Sequence, residues 1–160
     1  MTVRRQDDLA GAARWIRRLY PVAAALLLVL SFWPPFGTSV EHFDGTVTVT
    51  RFGSLWREAH HPYSWGVPML LCLLAAVLLL VTVAVRRAPN RGHLAAIVFP
   101  TGFLAAMIFC RAGTWTLDGG WATLTSTGAL LGLAAGASCL LAFAHIVIVA
   151  LQVRRRAVTR

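Results

Sequence analysis

Four long runs without a charged residue dominate this chain, from Leu19 to Val40, His61 to Val85, Gly92 to Cys110 and Gly119 to Val153. A helix needs about 20 apolar residues to cross the roughly 30 Å hydrocarbon layer of a bilayer. Each run reaches that length or falls one residue short. With 58% hydrophobic residues and a mean hydropathy of +0.68, the chain is far too apolar for an ordinary water-soluble domain. The reading is an all-α membrane protein, a single domain over residues 1–160. Its spans fall near 19–36, 64–85, 93–110 and 122–153, with an outer loop near 37–63.

The net charge of +9 suggests nucleic acid until the charges are placed. All fifteen basic residues are arginine. Twelve of them flank the spans on one side, in the groups Arg4 to Arg18, Arg86 to Arg91 and Arg154 to Arg160, with Asp7 and Asp8. The other side holds Arg51, Arg57 and Arg111 against Glu41, Asp44, Glu58 and Asp118. The positive-inside rule then places both termini in the cytoplasm, N-in and C-in, of a multi-pass cell-membrane protein. The basic surplus faces anionic inner-leaflet headgroups, and no nucleic-acid partner is implied. An arginine-only basic set also fits a GC-rich bacterial coding sequence, which is an association rather than a physical argument.

The first twenty residues read as a short amphipathic helix leading into the first span rather than as a cleavable signal. Pro34-Pro35 follows the apolar run, and no small-residue cleavage pattern appears. Pro21 is expected in the first turn of that span, where a helix tolerates proline. Pro100 is expected to kink the third span. Trp33, Trp65 and Trp121 flank span ends, as an interfacial aromatic belt does.

In the loop between the first two spans, Asp44-Gly45 precedes the alternating Thr46 to Phe52. That pattern predicts a small β-hairpin on the outer face. A lone hairpin is marginal in water and needs something to rest on. Phe43, Phe52 and Trp56 are its candidate contact residues. His42, His60 and His61 share this loop with Glu41, Asp44 and Glu58. Adjacent histidines on an extended segment point apart, so the cluster reads as a solvated loop with no metal site.

Gly128, Gly132 and Gly136 recur every fourth residue in the fourth span, and Gly102, Ala106 and Cys110 do so in the third. Small residues let helix backbones approach closely in a membrane, so these stripes are candidate packing faces for each other or for a partner helix. His145 is an ionisable side chain well inside a span and a candidate intramembrane polar site. The plain alternative is a neutral imidazole bonded to a backbone carbonyl or a serine. Ligation of a haem by two histidines would need a second one at similar depth, and His93 is offset, so no cofactor is implied. Cys72, Cys110 and Cys139 all lie in apolar runs and read as small buried residues.

The layout of four spans, a long first outer loop with strand character and a short second one resembles the claudin-type tetraspan arrangement. Trp33 followed by Gly53-Ser54-Leu55-Trp56 resembles that family's Trp and Gly-Leu-Trp loop pattern. Here Ser54 is inserted and the paired loop cysteines are lacking. The resemblance implies a layout and assigns no residue a role.

The sequence carries no nucleophile elbow, zincin motif, nucleotide-binding loop or set of intramembrane carboxylates. The expectation is therefore a non-catalytic accessory or assembly subunit of a larger membrane complex. Its partners would be other membrane subunits or copies of itself. A small channel or transporter, oligomeric in form, is the alternative, followed by a haem-binding or redox membrane anchor.

Overall fold

The computed structural model describes residues 2–35, 37–43, 46–60, 65–86, 90–111 and 121–158. Its elements, in chain order, are α1 (Thr2–Phe32), β1 (Gly37–Phe43), β2 (Thr46–Phe52), α2 (Leu55–Glu58), α3 (Gly66–Val85), α4 (Arg91–Arg111), β3 (Trp121–Leu124) and α5 (Ser126–Val158). The four long helices α1, α3, α4 and α5 are each long and apolar enough to cross a membrane. The chain is built as a multi-pass membrane protein.

These helices form a ring in which α1 packs on α3, α3 on α4, α4 on α5 and α5 back on α1. Their buried positions share one rhythm. Tyr20, Ala24, Leu27 and Ser31 line the inside of α1. Met69, Leu73, Ala76, Leu80 and Val83 do so on α3, and Leu94, Ile97, Thr101, Leu104 and Ile108 on α4. On α5 the set is Leu131, Ala135, Ser138, Ala142 and His145. Steps of three and four alternate throughout, which is the 3.5-residue period of helices packed at shallow angles. The outward positions are equally apolar, with Leu78, Phe99 and Leu140 all exposed to the surrounding medium. Only a narrow inner seam is buried because lipid solvates the rest.

α1 is continuous from Thr2, so the expected amphipathic segment and the first span are one helix. Pro21 therefore sits in a helix interior rather than in a first turn. It removes one rung of the backbone ladder on a face exposed to lipid. α4 likewise stays a single helix through Pro100.

The fourth span begins later than its composition suggests. Residues 121–124 are a strand, and the helix starts at Ser126. Trp121 to Leu124 is aromatic, β-branched and short, and it finds a partner in β1. The result is a three-stranded antiparallel sheet in the order β2-β1-β3. Thr38 aligns with Arg51 on one side and with Thr123 on the other. The third strand supplies support that a two-stranded hairpin alone would lack. The Asp44-Gly45 turn lies outside the described residues. Thr125 joins the sheet to the bundle: its hydroxyl donates to the Pro35 carbonyl and accepts from the Gly128 N–H at 3.2 Å.

The glycine stripe on α5 is only partly a packing face. A Cβ added at Gly132 would lie 2.9 Å from the Phe109 ring and 3.1 Å from Ile108 of α4. At Gly136 it would meet nothing within 4 Å. On α4, a Cβ added at Gly102 would lie 3.3 Å from the Cys139 sulfur, whereas Ala106 and Cys110 are exposed. The reason is geometric. Each step of four residues overshoots a full turn by about 40°. A strict four-residue stripe thus drifts out of a seam that alternates three and four. Replacing Gly132 with leucine should lower bundle stability by about 1–3 kcal/mol through overpacking, read as unfolding in mixed micelles. Gly136→Ala should leave the same transition unmoved.

Candidate functional site

Polar side chains inside the bundle are bonded close to home. The Thr101 hydroxyl donates to the Ile97 carbonyl at 2.6 Å, and Ser138 donates to Ala134 at 2.7 Å, each on its own helix. The Cys139 thiol reaches the Val98 carbonyl of α4 at 3.7 Å. Such bonds satisfy the hydroxyls in a medium without water.

His145 is different. It is buried, and its Nδ1 lies 2.9 Å from the phenolic oxygen of Tyr20, 125 residues away on α1. The two rings also stack, with centroids 5.7 Å apart at 22°. Tyr20 is fully buried as well. The phenol is the proton donor if the imidazole carries its proton on Nε2. Arg17, one turn earlier on α1, is half-buried. The partner of His145 is thus neither the backbone nor a serine. Sequence reasoning passed over Tyr20, the last residue of the segment read as an amphipathic helix. The available signal was depth, since Tyr20 and His145 both sit toward the arginine-bearing ends of their helices.

At the other end of the bundle, α2 docks onto α1. Ser54 caps α2 by accepting from the Arg57 N–H. Leu55 is fully buried, and Trp56 donates its indole N–H to the Ser31 hydroxyl at 3.0 Å. Ser31 passes the interaction on to the Leu28 carbonyl at 2.7 Å. The Trp56 ring stacks on Phe32 at 4.9 Å and 9°. Trp56, a candidate outer contact, is therefore half-buried and engaged within the chain. The side chains of Phe43 and Phe52 lie outside the described residues. Glu58, expected in a solvated loop, is only 1% exposed, because α2 folds back against the start of α3. Gly66 makes that approach possible. A Cβ there would stand 2.6 Å from the Ala59 nitrogen and 2.7 Å from the Glu58 carbonyl carbon. The His60 ring donates from Nδ1 to the Trp56 carbonyl at 2.8 Å. His42 (as a side chain) and His61 lie outside the described residues, and no group of three metal-ligating side chains gathers among those described.

Among the described side chains of the sheet, the large exposed apolar ones lie on β2. Leu124 packs against the core from one face, and the register puts Gly37 and Phe52 in its row. Val40 and Val49 align with each other on the opposite face, where Val47 also lies. Val47 is 59% exposed and Val49 56%. Comparison with protein-family models, curated proteins and solved structures finds no match.

Two mutational outcomes follow from this geometry. Tyr20→Phe should cost about 0.6–2 kcal/mol, the range for an interhelical hydrogen bond in a membrane. In a double-mutant cycle with His145→Leu, the two losses should be non-additive by a similar amount. Gly66→Ala should destabilise by about 1–3 kcal/mol despite the small change, since only backbone atoms stand in the way. Both are measurable by unfolding in mixed micelles.

Proposed function

We propose that this chain is a non-catalytic accessory or assembly subunit of a larger complex in a bacterial cell membrane. Its arginine-rich helix ends face the cytoplasm and anionic headgroups, and its sheet lies on the outer side. The observation that carries this reading is the sheet face bearing Val47 and Val49. It is opposite the face that Leu124 packs against the core, and it is more than half exposed, while Trp56 and Leu55 hold α2, the next element after β2, to the helices. An ordered apolar surface in a water-facing position fits a protein contact. Gly128 and Gly132 serve packing between α4 and α5 on this reading, with Gly136 left to a lipid or a partner helix.

A second reading, a small channel or transporter, is favoured by the buried Tyr20–His145 pair, because ionisable groups at such depth often lie on a translocation path. The pair bonds to itself across α1 and α5, which suits a structural tie better than an open path. Extraction in a gentle detergent followed by mass spectrometry separates the two. The subunit reading expects another membrane protein to co-purify in a fixed ratio. Recovery of this chain alone would refute it.

A further inference from the structure

We infer that β2 is the joint of a homodimer: two copies of this chain pair their β2 edges antiparallel and form one six-stranded sheet. The inference rests on the reading above that the sheet is a contact surface, and it names both the edge used and the partner. β2 lies at one side of the sheet, and β1 occupies only one of its edges. The outer edge has no strand beside it among the described residues. Natural edge strands are guarded by charge, proline, bulges or shortness. From Thr46 to Thr50, β2 has no charged residue or proline, and it pairs with β1 residue for residue without a bulge.

A second copy is the occupant that the edge itself specifies. Thr46-Val47-Thr48-Val49-Thr50 reads the same in both directions about Thr48. Antiparallel pairing about that residue sets Val47 opposite Val49 of the second copy and Thr48 opposite its own equivalent. Valine then meets valine on one face and threonine meets threonine on the other, as cross-strand preferences require. Charge agrees. Arg51 does not face its copy, because the register carries it toward the end of the second strand, where the sequence places Asp44. The resulting interface is isologous, with a two-fold axis perpendicular to the sheet. Leu124 of β3 packs on the bundle core, whereas Thr46 to Val49 of β2 are exposed on both faces of the sheet.

The register makes the test specific. Directly opposed residues in an antiparallel pair have Cα atoms about 4.5–5.5 Å apart, within the disulfide range of about 4.4–6.8 Å. In the full chain with Cys72, Cys110 and Cys139 replaced by alanine, Thr48→Cys should form a disulfide dimer in native membranes under mild oxidation. Val47→Cys and Val49→Cys should each cross-link at least tenfold more slowly alone. Produced together, they should link to each other at the Thr48→Cys rate. Equal rates at all three positions, no dimer at position 48, or a cross-link to a different protein would each overturn the proposal. A co-purifying subunit without a position-48 dimer would refute this joint and leave the proposed function standing. A position-48 dimer with nothing else bound would do the reverse.

Discussion

Lipid is as apolar as leucine, and the rest of this structure follows from that. Burying a hydrophobic side chain between helices gains little over leaving it against acyl chains, so association relies on close packing and internal hydrogen bonds. The bundle shows the consequence. Its buried seam is narrow, follows a 3.5-residue rhythm and takes in Ser31, Thr101, Ser138 and His145 along with small and branched apolar residues. Backbone groups are closed within helices across the spans, and irregular or extended chain is confined to the ends.

α1 acts as the spine. Near its arginine-bearing end, Tyr20 ties it to α5 through His145. At its other end, Ser31 and Phe32 seat Trp56 and with it the short helix α2. α2 in turn lies against α3 by way of Gly66, and Thr125 ties the start of α5 to Pro35. β3 joins the sheet to α4 and α5, and α2 and Thr125 anchor the segments that flank it.

Span number was plain in the sequence because apolar length and arginine placement report directly on the bilayer. Which face of each helix turns inward was not, since lipid-facing and buried positions are equally apolar and amphipathic periodicity disappears. The polar residues carried the inward signal: His145 is buried, and it is bonded to Tyr20 rather than to a backbone carbonyl or a serine. Of the glycine stripe, Gly132 packs closely on α4 and Gly136 meets no other helix, because constant spacing of four drifts around a helix while the seam alternates. β3 was missed because four residues of strand lay inside an uninterrupted apolar run. Glu58 looked solvated because charge in a loop usually is, and only the fold-back of α2 onto Gly66 buries it.

The proposed contact role rests on a cap that presents Val47 and Val49 to solvent. That account depends on the sheet standing outside the cell membrane and the arginine-rich ends inside. The direct measurement is labelling of single cysteines by a membrane-impermeant thiol reagent in intact cells, with the native cysteines replaced. Val49→Cys should label fully and Arg91→Cys only after the cells are broken. Labelling of position 91 but not position 49 in intact cells would contradict the account.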